Sequence, residues 1–193
     1  MLDLLLPRRC VLCLRQGVGL CGPCAGSLPP APELSPPPGF SSCASLLTYE
    51  GPTRQVVAAL KYENHRDAVG VLGAAMAQLV DHPADVVTWA PTSAERRRRR
   101  GYDQARALAA VVARSLGVRC VGALERTGGA SQTGLDRAHR LEGPRYECVR
   151  PPGARVLLVD DVRTTGATLS AAGDALLGSG VHQVHGLTLA VRP

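Results

Sequence analysis

Lysine and aromatic residues are almost absent from this 193-residue sequence. A single lysine, Lys61, stands among 22 basic side chains, and one Trp, one Phe and four Tyr supply the aromatic rings. So few ring faces leave little for base stacking, and any nucleic-acid contact is expected to be electrostatic and steeply salt-dependent. Missing too is any uninterrupted apolar stretch near the ~18 to 20 residues of a membrane span, which argues against membrane insertion. The opening Met1-Leu2-Asp3-Leu4-Leu5-Leu6-Pro7 lacks a basic flank, and its apolar run is shorter than the ~7 to 15 residues of a signal peptide. The expected location is the cytoplasm. No internal repeat is evident.

What is present suits a globular chain: 45% of residues are hydrophobic, and the length allows one well-packed domain plus a small appendage. The formal charge of +6 favours anionic partners such as phosphate compounds, nucleic acid or acidic proteins without choosing among them. Composition divides the chain into three expected parts. Residues 1–28 are dense in Cys, Gly and Arg; residues 29–43 carry six prolines between Pro29 and Pro38 and read as a semi-rigid linker. Residues 44–193 form the main domain.

Four of the seven cysteines make two pairs, Cys10-x-x-Cys13 and Cys21-x-x-Cys24, and in a reducing compartment such pairs point to a metal ahead of disulfides. The seven residues between them include Gly17 and Gly19, enough for a hairpin that folds one pair onto the other. Four thiolates with no open position describe a structural Zn²⁺ site, with a redox dithiol or an iron–sulfur centre as alternatives. Too few apolar residues flank the pairs for an independent core, so the metal would supply the folding free energy. Cys43, Cys120 and Cys148 are expected as small buried apolar residues.

In the main domain, strands are predicted at Ser45 to Tyr49, Asp85 to Ala90, Val118 to Leu124, Tyr146 to Val149, Arg155 to Val159 and Val184 to Val191. Helices are predicted at Thr53 to Lys61, Asp67 to Val80, Gln104 to Leu116 and Gly166 to Leu177. Strands alternating with helices make an open, mostly parallel α/β sheet flanked by helices.

The most informative stretch runs from Val156 to Thr168: an unbroken apolar strand, the pair Asp160-Asp161, then Val162-Arg163-Thr164-Thr165-Gly166-Ala167-Thr168. A strand end that delivers two carboxylates and then a hydroxyl-rich turn into a helix can hold a phosphorylated sugar. The helix N-terminus and threonine hydroxyls take the phosphate, and the acids take ribose hydroxyls or a hydrated Mg²⁺. The bland alternative is a helix capped by Thr. A second stretch, Pro91-Thr92-Ser93-Ala94-Glu95 and then Arg96 to Arg100, follows another predicted strand of the same sheet. Arg98 and Arg100, with Thr92, are the candidates there for a diphosphate, against a plain solvated face. Lys61 is a further candidate, or else a cation at a helix C-terminus.

The stretch 156 to 168 resembles the phosphoribosyl-diphosphate (PRPP) signature of type I phosphoribosyltransferases. With Cys10 to Cys24, Leu60-Lys61-Tyr62 and Arg100-Gly101-Tyr102-Asp103-Gln104-Ala105, it resembles the ComF family of competence-associated phosphoribosyltransferase-like proteins over nearly the whole length. The resemblance implies that fold with an N-terminal zinc knuckle, ribose contacts from Asp160 and Asp161, and a 5-phosphate loop from Thr164 through Thr165, Gly166 and Ala167 to Thr168. It also implies Mg²⁺ bound with PRPP, and phosphoribosyl transfer to an acceptor. Purine-salvage members carry an Asp where this chain has Thr164, which argues against a purine base. By the same analogy the Gly-, Ser- and Arg-rich stretch between Arg126 and Arg145, with Gln132, Leu135, Arg137 and Arg140, would close over the diphosphate. No catalytic residue is assigned. The competing expectation is a non-catalytic DNA-uptake protein that binds single-stranded DNA or competence proteins, with PRPP absent or a signal.

Overall fold

Residues 9–62, 66–128 and 143–193 are described by the computed structural model. A five-residue helix α1 (Gly22–Gly26) precedes strand β1 (Ser42–Thr48), helix α2 (Gly51–Tyr62), helix α3 (Arg66–Ala77) and strand β2 (Val86–Trp89). Helices α4 (Ala94–Arg100) and α5 (Gln104–Leu116) come next, followed by strands β3 (Arg119–Cys120), β4 (Leu124–Gly128), β5 (Arg145–Cys148) and β6 (Arg155–Arg163). Helix α6 (Ala167–Gly178) and strand β7 (Gln183–Val191) close the chain. Five strands form a parallel sheet in the order β1-β7-β6-β2-β3, and β4 and β5 form a separate antiparallel pair. The expected mostly parallel sheet flanked by helices is what the chain forms.

Strand β6 lies at the centre and is buried on both faces. Its alternation divides the core: Leu157 and Val159 pack with Leu60, Leu72, Met76 and Leu108 from α2, α3 and α5, while Val156 and Leu158 pack with Leu169 and Leu176 from α6. Phe40 joins the second cluster, seated where α6 has no side chain. A Cβ on Gly173 would lie 2.3 Å from the Phe40 ring, so Ala at that position must displace the ring.

Three differences from expectation have identifiable causes. The predicted strand 118 to 124 is split between β3 and β4. Ala123 leaves the sheet ladder, its N–H donating to the Thr88 hydroxyl at 3.3 Å. The arginine run, which is not among the predicted helices, forms helix α4. Ser93 caps it by accepting from the Arg96 N–H at 3.3 Å, and Gly101, at φ 76°, stops it. Strand β6 does not end at the acidic pair, because pairing to β7 continues through Asp160↔Thr188 to Arg163↔Val191. Of the three other cysteines, Cys120 is exposed and Cys43 and Cys148 are half-buried, so the exposed edge strand β3 overrides the expectation for Cys120.

The proline-rich segment lies against the free edge of β1. Ala31 N–H donates to Leu46 O at 3.1 Å and Thr48 N–H donates to Pro29 O at 2.9 Å. Proline suits that position, since an edge has no further partner waiting for its missing N–H. Among the described residues no helix is long and apolar enough to cross a membrane.

At the opposite end of the sheet from the helix α6 N-terminus, His185 stacks on His82 with ring centroids 3.6 Å apart, and its Nδ1 lies 2.8 Å from the Ser42 hydroxyl. Burial, and then the neighbouring His82, hold the His185 imidazole below its ordinary value of 6.5, with Asp81 opposing. The fold therefore prefers the neutral ring. Its contribution to stability is complete above pH 6.5 and declines as the pH falls below that value. A denaturant titration at pH 7 and pH 5 should show a loss of stability on acidification that His185→Gln makes smaller.

Candidate functional site

The chain leaves β2 and β6, which are neighbours, in opposite directions. From β2 it passes by way of α4 and then through α5 on one face to the edge strand β3; from β6 it passes through α6 on the other face to β7. Such a switch point opens a crevice beyond the carboxyl ends of the two strands. A cleft of about 270 Å³ lies there. Its walls are Ala90 to Thr92 after β2, Arg96 and Arg100 of α4, Asp103 to Ala105 at the start of α5, and Lys61 of α2. Asp160 to Val162, Thr164 and Thr168 complete it with Tyr49, Arg126 and Tyr146.

Because β6 continues through the acidic pair, strand alternation turns its two carboxylates to opposite faces. Asp161 meets α2, where Lys61 Nζ lies 2.9 Å from its Oδ2. Asp160, 7% exposed, faces inward, and its Oδ1 accepts from the Asp161 N–H at 2.8 Å. Burial, and next the charge of Asp161, raise the Asp160 carboxyl well above its ordinary value; Lys61 opposes them only in part. The pair thus has one acid already matched with a cation and one that ionises at a cost.

The following turn reaches α6 through Gly166, whose φ of 79° places it in the left-handed region that glycine adopts without strain. Thr165 Oγ1 accepts from the Ala167 N–H at 3.4 Å. Thr164 and Thr168 line the cleft; between them Thr165 and Gly166 make the turn and Ala167 opens α6.

Helix periodicity selects among the five arginines. Arg96 and Arg100, four apart, share the face turned to the cleft. Arg98, one of the two favoured from the sequence, is exposed and does not line the cleft. Arg100 donates to Gln104 Oε1 at 3.1 Å. Thr92 lines the cleft, and its backbone N–H donates to Asp103 Oδ2 at 3.0 Å, while Asp103 Oδ1 caps α5 by accepting from the Arg106 N–H at 3.2 Å. Burial raises the Asp103 carboxyl, those two backbone donors lower it, and Asp161 adds to the rise. Tyr146 donates to the Pro91 carbonyl at 3.4 Å, and burial pushes its hydroxyl up to about 12. The Tyr102 hydroxyl donates to the Leu60 carbonyl, tying the end of α2 to the turn before α5.

Arg96, Arg126, Tyr49 and Tyr146 also line the cleft and are not among the candidates that the sequence singles out. The spacing of Arg96 and Arg100 was available as a signal once Ser93 and Gly101 are read as helix caps. The other three come from distant segments, and no local signal marks them. The stretch 129–142, with Gln132, Leu135, Arg137 and Arg140, lies outside the described residues.

The second centre is the cysteine cluster. The sulfurs of Cys10, Cys13, Cys21 and Cys24 lie within 4.8 Å of one another, with Cys13 and Cys21 3.6 Å apart. Leu14, at φ 62°, and Gly17, at φ 103°, turn the chain between the pairs, and Cys10 and Val11 N–H groups bond to Arg15 and Gly19 carbonyls. Burial pushes the Cys10 thiol up, but backbone N–H groups of Cys13, Cys21 and Leu12 outweigh it and bring it down to about 6. The thiols of Cys21 and Cys13 push Cys24 up to about 12. The Cys10 thiolate forms readily while Cys24 resists ionising without a cation beside it, and four sulfurs gathered this closely suit a metal site.

No family model matches the chain, and no curated protein matches it. Among solved structures, it is similar to the allosteric regulatory enzyme of purine biosynthesis, with 24% identity and a TM-score of 0.47, over 64% of this chain and 25% of the other. It is also similar to the glutamine phosphoribosylpyrophosphate (PRPP) amidotransferase from B. subtilis, with 26% identity and a TM-score of 0.46, over 63% of this chain and 26% of the other. The chain spans about a quarter of the length of these two proteins.

Proposed function

We propose that this chain is a phosphoribosyltransferase-like protein of the ComF type that binds PRPP with Mg²⁺ in the cleft and transfers the phosphoribosyl group to an acceptor. The observation that carries this reading is the convergence, at one switch point of the sheet, of the acidic pair, the threonine turn and the cationic face of α4. In this arrangement the N–H groups at the α6 start and the hydroxyls of Thr164, Thr165 and Thr168 hold the 5-phosphate. Asp160 and Asp161 accept from the ribose hydroxyls, and Arg96, Arg100 and Arg126 face the diphosphate with Lys61. Transfer breaks the bond from the ribose C1 to diphosphate and forms one from C1 to the acceptor. The chain contributes positioning and charge, with no covalent nucleophile.

The acidic pair fits Mg²⁺: its donors are hard carboxylate oxygens, and Asp161 Oδ2 already attracts a cation. Bound with the diphosphate, Mg²⁺ would neutralise charge on the leaving group. For the four cysteines we assign Zn²⁺, in a small knuckle spanning residues 1–28 that the segment 29–43 joins to a main domain of residues 44–193. We place the protein in the cytoplasm.

Calorimetry with PRPP and Mg²⁺ tests the reading. The native chain should bind, and the Asp160→Asn, Asp161→Asn double variant should lose about a hundredfold or more in affinity, as expected for removing two charged hydrogen-bonding groups. Absence of heat from a folded, metal-loaded native chain would sink it. Exposed Arg97 and Arg98 on α4 favour the second reading, single-stranded DNA binding, which predicts instead a salt-sensitive oligonucleotide affinity that the double variant leaves unchanged.

A further inference from the structure

The cleft carries its own cation. Lys61 Nζ sits 2.9 Å from Asp161 Oδ2, with the two side chains only 19% and 20% exposed. We propose that Lys61 closes the acidic pair to free divalent metal, so that metal enters this cleft only together with a diphosphate-bearing ligand. The inference deepens the PRPP–Mg²⁺ reading above and rests on it for the identity of the ligand.

The position of Lys61 is built. Leu60, immediately before it, is 2% exposed in the core shared by α2, α3 and β6, and its carbonyl accepts from the Tyr102 hydroxyl. The lysine stem therefore starts from a fixed point of the backbone, unlike a lysine on a free surface. The charges of the lining point the same way. Among the described residues of the lining, Lys61, Arg96, Arg100 and Arg126 oppose Asp103, Asp160 and Asp161, four cations against three acids. A free divalent ion approaching Asp161 meets an excess of positive charge and must also displace an ammonium from the oxygen it needs.

A diphosphate-bearing ligand changes both conditions. Its negative charges offset the arginines, its oxygens give Lys61 a new partner, and the metal arrives with part of its coordination already filled. Lysine suits this exchange because its ammonium is a compact charge with three rotatable donors, able to pass from carboxylate to phosphate without matching a planar fork. The result is an order of binding: a cleft that does not accumulate metal without its ligand.

The test uses Mn²⁺ alone, titrated into the full chain with its cysteine site loaded, and read by the loss of the free-ion paramagnetic resonance signal. Native protein should bind Mn²⁺ weakly, while Lys61→Gln should bind it about tenfold tighter, the order expected for removing one like charge at contact distance in a half-screened site. Lys61→Arg should stay as weak as native. Adding Asp161→Asn to Lys61→Gln should abolish the gain. Lys61→Met, of similar length and uncharged, repeats the measurement if the Gln variant does not fold. Native protein that binds Mn²⁺ as tightly as the uncharged variants, or a gain that survives Asp161→Asn, would overturn the proposal. Since no sugar phosphate is present, this outcome is separate from the calorimetry. A chain that fails to bind PRPP refutes the earlier reading, and one that binds both PRPP and free Mn²⁺ tightly refutes only this one.

Discussion

Removing the metal from the four-cysteine site is expected to lower the melting temperature of the whole chain by about 10 °C, because structural metal binding is folding free energy and each kcal/mol is worth about 2–4 °C in a chain of this size. An independent knuckle on a linker would come apart without affecting the main domain. Here Cys10, Leu20, Cys21 and Leu28 are buried in the same apolar cluster as Val56, Leu60, Val69 and Leu72, so the knuckle and helices α2 and α3 share one core. Its backbone also crowds α3: a Cβ on Gly19 would come within 2.2 Å of the Asp67 carboxylate. Without a metal to hold the four sulfurs together, the hairpin would open and uncover the apolar residues that it shares with α2. A melt followed by circular dichroism with and without chelator measures the shift, and elemental analysis should give one metal per chain. Cys24→Ser should reproduce much of the loss. Unchanged melting after complete metal removal would mean the knuckle and the main domain are energetically separate.

Replacing Asp160 by Asn should act in opposite directions on stability and on binding. The native fold keeps this carboxyl buried beside Asp161, so its folded-state value lies above the ordinary 3.8. For an acid shifted upward the fold favours the protonated form. The cost is absent below the ordinary value, grows as the pH rises and is complete above the folded-state value. Asn is isosteric, keeps an oxygen to accept from the Asp161 N–H, and carries no charge. Relief of a buried, poorly matched charge by about 1–2 kcal/mol would raise the melting temperature by roughly 3–6 °C at neutral pH. The gain should vanish in acid, while PRPP affinity falls. Denaturant titrations of both chains from pH 3 to pH 8 measure it, and a variant that is less stable at pH 7 would refute the account.

Stability given up at a ligand site is a common pattern, and it also explains which parts of the site were legible. The strand from Val156 to Val159 had to be buried on both faces because it has no polar break, and its flanking acids and threonine turn then had to stand at the sheet's carboxyl edge. The two Cys-x-x-Cys pairs pointed to their own meeting, since seven intervening residues with Gly17 and Gly19 are enough for a hairpin that folds one pair onto the other. The arginine run was harder. Five like charges read as a solvated surface, whereas the Ser93 cap and the Gly101 stop make it a helix and its period then admits Arg96 and Arg100 to the cleft but not Arg98.

From sequence alone, then, came the sheet class, most of its strands and helices, the meeting of the four cysteines and the segments that end at the cleft. All of these are set by local alternation, helix period and turn residues acting over a few positions. Tertiary structure decided the rest. That Asp160 faces the core while Asp161 meets Lys61 depends on β6 continuing its pairing with β7 past Val159. That Arg126 and Tyr146 reach the same cleft depends on where the β4–β5 pair docks. That the cysteine knuckle belongs to the main core depends on Leu20 and Leu28 finding α2 and α3. Each is a contact between segments far apart in the chain, and its energy comes from burial and charge in three dimensions, which no local pattern of residues encodes.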